Sequence, residues 1–233
     1  MSTNIAVADS VFPSLDLATE ALAPVDGVLT LSKSTSQDDI LAVAADAEAL
    51  LVTYSEITAD VIAGLNNCKA IGRFGIGVNN IDLDAAAAKG IVVTYAPVYC
   101  LDEVSDHAMA LLLAAARKIP FANKQVHSGT WNMPDVVPIP RLRGKTLGLI
   151  GFGNIPQKIV GKAQAFGMKV IASDPFVNKD IAKNLDVDLV ELDDLYAQSD
   201  FVSVHAPLLP ETENMFNMDT FKKMKSNAIL VNT

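Results

Sequence analysis

The stretch from Lys145 to Asp174 reads KTLGLIGFGNIPQKIVGKAQAFGMKVIASD, and it decides the fold of the chain. The apolar run Thr146 to Ile150 predicts a strand, and apolar residues at helical spacing follow a glycine turn before a second strand. The stretch therefore predicts a βαβ unit. Gly151 and Gly153 lie in its turn, where a missing Cβ lets backbone N–H groups approach a pyrophosphate at the helix N-terminus.

The end of this unit indicates which dinucleotide it takes. Asp174 closes the second strand about twenty residues after the glycines, where a carboxylate accepts the ribose hydroxyls of NAD and repels a 2′-phosphate. The unit thus favours NAD over NADP, although a glycine pair by itself also fits an ordinary strand-to-helix turn.

Pro156 replaces the third glycine of the dinucleotide pattern. A proline in the first helical turn still lets a helix start, so this departure concerns cofactor affinity rather than the fold.

Composition limits the classes of protein to which the chain can belong. It has 233 residues, 50% of them apolar, and a formal net charge of −9. This length suits one large or two modest domains with a real core. There is no long apolar run and no signal-peptide pattern, so we expect a cytoplasmic protein without a membrane partner. The absence of a basic cluster argues against direct nucleic-acid binding, the two cysteines form no disulfide framework, and no metal site is predicted.

The first part of the chain predicts a complete small α/β layer. Strands are predicted at residues 4–8, 27–31, 49–52, 70–74 and 91–94, and from the second strand onward a helix is predicted between each strand and the next, the last of them at residues 83–89. A capping box at Ser36 precedes the helix predicted at residues 40–47, and Thr58 caps the next helix. The layer ends near Pro97, so we expect one domain at residues 1–97 and a second at residues 98–233.

A glycine-containing loop in this layer is a candidate binding site. Residues 73–82 read RFGIGVNNID and place two glycines just past a predicted strand end. Ligands of open α/β sheets lie at such strand ends, and N–H groups around Ile76 and Gly77 are candidates to hold a carboxylate. The alternative is a plain glycine turn.

The middle of the chain predicts one long helix and an arm. Residues 101–119, LDEVSDHAMALLLAAARKI, are apolar around most of the helix, which predicts burial on more than one side, between domains or subunits. His107 within it is expected to be a core residue rather than a catalyst. Residues 120–143 are interrupted by prolines and are interpreted as a connecting arm that packs on a partner subunit.

The chain after Asp174 continues as α/β. Strands are predicted at residues 187–190, 201–204 and 228–231, with helices at 192–198 and 218–224. His205, Ala206 and Pro207 follow a strand end beside the expected adenosine site, so their backbone is a candidate cofactor contact. The His205 ring is interpreted as structural because no neighbouring carboxylate orients it as a base. The Thr212 hydroxyl is a further candidate, for contact with the pyrophosphate.

Together these segments resemble the NAD-dependent D-isomer-specific 2-hydroxyacid dehydrogenases, which include phosphoglycerate, glycerate and D-lactate dehydrogenases. The matching pieces are RFGIGVNNIDLDAAAAKGIVV, EVSDHAMALLLAAARK, LRGKTLGLIGFGNI, FVSVHAPLLPETENMF and AILVNT, and they run in family order over nearly the whole chain. The stretch YAPVYCLDEVSDHAMALLLAAARKI is also similar to the branch that contains the C-terminal-binding-protein corepressors and their bacterial relatives.

The resemblance implies a doubly wound Rossmann-type NAD-binding domain at residues 98–233 and a smaller flavodoxin-like substrate domain at residues 1–97. It implies NAD as cofactor and hydride transfer between NAD(H) and a small D-2-hydroxy acid or 2-oxo acid. The long helix and the arm predict a homodimer. The implied binding residues are the Ile76 and Gly77 amides for the substrate carboxylate, Asn154 and Ile155 for the pyrophosphate, Asp174 for the adenosine ribose, and Ala206 and Thr233 for further parts of NAD.

The resemblance also implies catalytic groups that residues 1–233 do not contain. In the family an arginine that binds the 2-oxo group follows AILVNT, and a carboxylate with its paired acid–base histidine lies further on. We therefore expect a fragment or truncated product that binds better than it catalyses, without the usual C-terminal return segment of its first domain and with an incomplete nucleotide sheet. The alternatives are an NAD-sensing protein-interaction module, as the corepressor resemblance allows, and an inactive paralogue.

Overall fold

The computed structural model describes residues 2–233. The chain divides into two compact units, residues 1–99 and 100–233. Each unit contains a five-stranded sheet in which every strand pairing is parallel, with helices between successive strands. This confirms the predicted α/β class.

The first unit has the strand order β2-β1-β3-β4-β5, which is the flavodoxin-like order that was predicted. Each of its predicted strands lies within one residue of an observed strand. Helix α1 was not predicted. The elements are β1 (Thr3–Val7), α1 (Asp16–Leu22), a 3-10 turn (Ala23–Val25), β2 (Gly27–Leu31), α2 (Gln37–Ala44), β3 (Ala49–Val52), α3 (Ala59–Gly64), β4 (Ala70–Arg73), α4 (Leu83–Ala88) and β5 (Val92–Thr94).

Local side-chain chemistry explains where the helices of this unit begin. The Ser36 hydroxyl accepts the Asp39 N–H at 3.3 Å, and the helix therefore starts at Gln37, three residues before the predicted start. Helices α3 and α4 begin in the same way, after the caps Thr58 and Asp82. Alternate residues of β3 are fully buried and join the core that α2 and α3 cover. The carboxyl end of the sheet is left to loops.

The second unit has the strand order β10-β9-β6-β7-β8, which is the Rossmann order running outward in both directions from β6. Helix α8 was not predicted. The elements are α5 (Leu101–Ala116), α6 (Ile119–His127), a 3-10 turn (Met133–Val136), β6 (Thr146–Ile150), α7 (Asn154–Ala165), β7 (Lys169–Ser173), α8 (Lys179–Asn184), β8 (Asp188–Leu189), α9 (Leu192–Gln198), β9 (Phe201–Val204), α10 (Met218–Lys223) and β10 (Ile229–Asn232).

The long helix differs from its prediction. It ends at Ala116, because Lys118 adopts a left-handed conformation with φ 52°. Pro120 then stands in the first turn of a second helix, α6, where its fixed φ and missing N–H are favourable, so part of the expected arm is helical. His107 is exposed on α5, and the prediction that it is a core residue is wrong. Across residues 2–233 no helix combines the length and apolarity that a membrane span requires.

Candidate functional site

The glycine turn after β6 lies where the strand order of the second sheet reverses. The Gly151 N–H donates to the Ser173 carbonyl oxygen at 2.9 Å, and the His205 N–H donates to the Ile150 carbonyl oxygen at 2.8 Å. Gly151 has φ 82°, and a Cβ there would lie 2.9 Å from the His205 carbonyl oxygen and 3.0 Å from the Ala206 nitrogen. Glycine alone satisfies both constraints. The turn is therefore fixed against the ends of both neighbouring strands.

Helix α7 begins at this turn without a side-chain cap. Its N-cap is Gly153, where a Cβ would meet no protein atom within 4 Å. In the described chain, the N–H groups of Gly153, Asn154 and Ile155 donate to no protein acceptor. Unpaired donors at the positive end of a 12-residue helix suit a pyrophosphate, and the open side of Gly153 leaves space for one. The residues present therefore fit a dinucleotide.

Pro156 is buried in the first turn of α7. The Gln157 N–H donates to the Gly153 carbonyl oxygen at 3.3 Å and makes the first bond of the helix. The N–H that proline lacks would have no partner inside the helix, so the helix starts normally. The consequence is one fewer backbone donor for an anion at this turn.

Asp174 lies just past the carboxyl end of β7. Its carboxylate holds two backbone N–H groups and can also accept hydrogen bonds from a ligand. Its Oδ2 accepts the Phe152 N–H at 2.7 Å, and its Oδ1 accepts the Phe176 N–H at 2.8 Å. Each carboxylate oxygen keeps a lone pair for a further donor such as a ribose hydroxyl. The two backbone bonds tie the glycine turn to the loop after β7. No pattern in the sequence indicated these bonds or the position of the Phe176 ring, which is 92% exposed beside Asp174.

The residues after β9 contribute in different ways. The His205 ring has its Nε2 2.8 Å from the Ser203 hydroxyl, and burial lowers its pKa to about 4, so the ring is neutral at pH 7. This supports a structural rather than a catalytic role for the His205 ring. The Thr212 hydroxyl accepts the Leu209 N–H at 2.8 Å and also bonds the Pro207 carbonyl oxygen, within its own turn. Cofactor contacts by Ala206, Pro207, Thr212 and Thr233 stay predictions.

The loop after β4 in the first unit presents a second pair of donors. Within residues 2–233 the N–H groups of Ile76 and Gly77 donate to no protein acceptor. The Gly75 carbonyl oxygen accepts the Ala96 N–H at 3.0 Å, which fixes the base of the loop. A Cβ on Gly75 would overlap the Arg73 guanidinium, so that cation lies over the loop. A cation beside unpaired N–H groups suits a carboxylate. Sequence reasoning had placed Arg73 only as the start of this loop segment.

Comparisons with known proteins identify relatives. The model of the D-isomer specific 2-hydroxyacid dehydrogenase NAD binding domain matches residues 109–233. The chain is 39% identical to D-3-phosphoglycerate dehydrogenase of Methanocaldococcus jannaschii over 208 residues, 88% of this chain and 40% of that protein. It is 39% identical to hydroxypyruvate reductase of Thermotoga maritima over 217 residues, 93% of this chain and 70% of that protein. D-lactate dehydrogenase from Aquifex aeolicus, complexed with NAD and lactic acid, has a similar structure, with a TM-score of 0.86 and 26% identity over 99% of this chain and 68% of that one.

The extent of these matches decides what they establish. The chain spans 36–40% of the length of the phosphoglycerate dehydrogenases that it matches. The family match contains the glycine turn, α7 and Asp174, and the second unit is accordingly an NAD-binding domain, which confirms the predicted cofactor. The match covers more than half of the chain, and the identity to the hydroxypyruvate reductase extends through most of the first unit. The chain belongs to the D-isomer-specific 2-hydroxyacid dehydrogenase family.

Proposed function

We propose that this chain binds NAD and a small 2-hydroxy acid or 2-oxo acid in a dehydrogenase that transfers a hydride between them. The observation that carries the proposal is the glycine turn at the reversal of strand order, with unpaired N–H groups at the start of α7 and the Asp174 carboxylate beside them. The named relatives reduce hydroxypyruvate or are dehydrogenases of phosphoglycerate and lactate, which supports a small 2-hydroxy acid as substrate.

Each group of this chain has a defined task in the proposal. NAD supplies or accepts the hydride when it is bound. The N–H groups of Asn154 and Ile155 hold the pyrophosphate, and Asp174 accepts the ribose hydroxyls. The N–H groups of Ile76 and Gly77 hold the substrate carboxylate, with the Arg73 charge beside them.

Proton transfer to the substrate oxygen is not assigned to a residue of this chain. None of the three histidines in the described residues forms an ion pair with a carboxylate. His205 is bonded to Ser203, and His127 is bonded to the Asn123 carbonyl oxygen. A general acid for a 2-oxo group needs a ring that is protonated near neutral pH, and the buried His205 ring, with its lowered pKa, is not.

The proposal includes a homodimer in the cytoplasm. The surface of α6 and the segment after it carries large exposed apolar side chains, and an apolar patch of this kind is typical of a protein interface. These side chains are Ile119, Phe121, Val126, Trp131 and Met133. The net charge of −9 supports partners other than nucleic acid.

Binding and turnover assays test the proposed function. We expect NADH to bind, as measured by fluorescence titration, and we expect glyoxylate, hydroxypyruvate or pyruvate to bind to the NADH complex. NADH oxidation by these acids should be slow, because no residue of this chain is assigned as the proton donor. A chain that binds no NADH would contradict the proposal. NADH binding with no binding of any of the three acids would instead favour the NAD-sensing interaction module.

The choice between NAD and NADP is a separate prediction. We expect NADH to bind at least about ten-fold more tightly than NADPH, a difference of about 1.4 kcal/mol, because the Asp174 carboxylate would face the 2′-phosphate. Asp174→Asn removes the charge and keeps an oxygen that accepts one backbone N–H, so it should narrow the difference. Equal dissociation constants for the two cofactors in the unmutated chain would overturn this prediction.

A further inference from the structure

A carboxylate at the carboxyl end of β1 holds the loop that follows β3. The Asp9 Oδ1 accepts the N–H groups of Thr53 at 2.9 Å and Ser55 at 3.3 Å, and its Oδ2 accepts the Tyr54 N–H at 2.8 Å. The Thr53 hydroxyl donates to the Asp9 carbonyl oxygen at 3.3 Å. Three backbone donors that converge on one carboxylate form a charge-assisted clamp. Asp9 therefore fixes the conformation of residues 53–55.

The clamped loop in turn holds the Arg73 side chain. The Thr53 carbonyl oxygen accepts the Arg73 Nε–H at 3.2 Å. The Arg73 Cζ lies 5.9 Å from the centre of the Tyr54 ring, within the range of a cation–π contact. Through these contacts the guanidinium is directed over Gly75, the residue that precedes Ile76 and Gly77 in the loop.

A third element closes the arrangement on the other side. The Asn80 Nδ2 donates to the Ser55 carbonyl oxygen at 2.9 Å, and its backbone oxygen accepts the Ile57 N–H at 2.8 Å. The loop from residue 53 to 57 is thus held at its start by Asp9 and at its end by Asn80. The Asn80 Nδ2 also donates to the Thr53 carbonyl oxygen, at 3.5 Å. The bond from the Thr53 N–H to the Asp9 carboxylate is shorter, at 2.9 Å, so the position of the oxygen that binds Arg73 depends more on Asp9 than on Asn80.

We propose that Asp9 is a positioning residue for the substrate site. Its side-chain hydrogen bonds in the described chain are all to residues 53–55, so it acts through the Thr53 carbonyl oxygen on Arg73 and through Arg73 on a carboxylate held at Ile76 and Gly77. The inference rests on the proposed function for the ligand, but the coupling of Asp9 to Arg73 belongs to the protein alone.

The first experiment measures that coupling without any ligand. In NMR spectra of the full chain, the Arg73 Nε–H should be protected from solvent exchange by its bond to Thr53. Asp9→Ala should abolish this protection, and Asp9→Asn should reduce it less, because the amide retains one acceptor oxygen. The matched control is Asp46→Ala, on a loop that does not contact Arg73. Unchanged Arg73 protection in Asp9→Ala would overturn the proposal whatever the ligand results are.

The second experiment tests the consequence for binding. Pyruvate is titrated into the full chain while the Ile76 and Gly77 amide signals are followed. Asp9→Ala should weaken pyruvate about ten-fold, and NADH affinity should stay within about two-fold. In an Arg73→Ala background, Asp9→Ala should add little, since the two residues act in one chain of contacts. Additive effects would contradict the proposal. Should Asp9→Ala fail to fold, Asp9→Asn serves in both experiments.

The two experiments separate the possible failures. If pyruvate does not shift the Ile76 and Gly77 signals in the unmutated chain, the proposed substrate site is wrong. The Arg73 measurement still decides whether Asp9 positions Arg73. A purely structural Asp9 would lower the melting temperature and weaken NADH and pyruvate alike, which is the opposite of the selective loss expected here.

Discussion

Replacing Gly151 with alanine should remove NAD binding and destabilise the second unit. A left-handed φ of 82° is unfavourable for alanine, and the new Cβ would lie 2.9 Å from the His205 carbonyl oxygen. The atoms that it meets are the His205 carbonyl group and the Ala206 nitrogen, which belong to the backbone of the segment after β9 and cannot move aside as a side chain would. We expect a loss of about 3 kcal/mol in the free energy of unfolding and a loss of NADH affinity of about a hundred-fold or more.

The matched control for this substitution lies two residues away. Gly153 has φ −74° and an open Cβ direction, so Gly153→Ala should change the unfolding free energy by less than about 1 kcal/mol. Its methyl group would project where the pyrophosphate approaches, and NADH affinity should fall about ten-fold. Urea unfolding and NADH titration of both variants check the pair. The account of the turn is wrong if Gly151→Ala unfolds at the same urea concentration as the unmutated chain.

Asp200→Ala should strongly lower the free energy of unfolding without a direct effect on cofactor binding. The Asp200 carboxylate accepts the Thr146 N–H at 3.0 Å and pairs with Lys145 at 3.1 Å and with Lys225 at 3.3 Å, and its side chain is only 13% exposed. It thereby joins the starts of β6 and β9 to the turn before β10. Removing it leaves a partly buried N–H and two ammonium groups without their partner, so we expect a loss of about 3 kcal/mol. Urea unfolding at pH 7 measures it.

An exposed ion pair of the same unit provides the control. Asp219 pairs with Lys222 at 2.9 Å on α10, with side chains 86% and 70% exposed. Asp219→Ala also deletes a helix-terminal carboxylate but should change stability by less than about 1 kcal/mol. If Asp200→Ala and Asp219→Ala are equally stable, the burial of Asp200 and its several partners do not make it more important for stability than an exposed ion pair, and this prediction is wrong.

The same carboxylate predicts how stability depends on pH. Burial alone would raise the pKa of Asp200, but the Thr146 N–H and the ammonium groups of Lys145 and Lys225 outweigh it and lower that pKa. A lowered pKa in the folded state gives stability above the unfolded value of about 3.9, and this stability is lost as pH falls through the folded pKa. The difference in stability between the unmutated chain and Asp200→Ala should therefore shrink below about pH 4. A constant difference down to pH 3 would contradict this assignment.

The elements that the sequence predicted best are those with a periodic or bounded signal. Thr146–Ile150 and Phe201–Val204 are apolar runs between polar residues, and both strands have the predicted bounds. Helix α6 was missed because the prolines of residues 120–143 were interpreted as marks of a connecting arm, whereas Pro120 lies in the first turn of this helix, where a proline is favourable. His107 was misplaced because α5 buries one face, through Ala108 and Leu112, rather than most of its surface in this unit.

Some candidate site residues were likewise predictable from the sequence, and others were not. The glycine turn and Asp174 follow from local spacing, which a sequence displays directly. The contact of Asp9 with Thr53 joins residues 44 positions apart through a side chain and a backbone N–H, and such a contact leaves no periodic pattern. The same holds for Arg73, whose position over Gly75 depends on where neighbouring strands end.

The two backbone bonds of Asp174 have a consequence for redesign of the cofactor preference. The carboxylate that discriminates against a 2′-phosphate is also the acceptor for the Phe152 and Phe176 N–H groups. Alanine at this position, introduced to admit NADP, would leave two donors without an acceptor and loosen the glycine turn at the same time, and asparagine would satisfy only one of the two. Conversion therefore requires a coupled second change that supplies a new acceptor for Phe152. Evolution toward NADP from this sequence would meet the same two-step barrier.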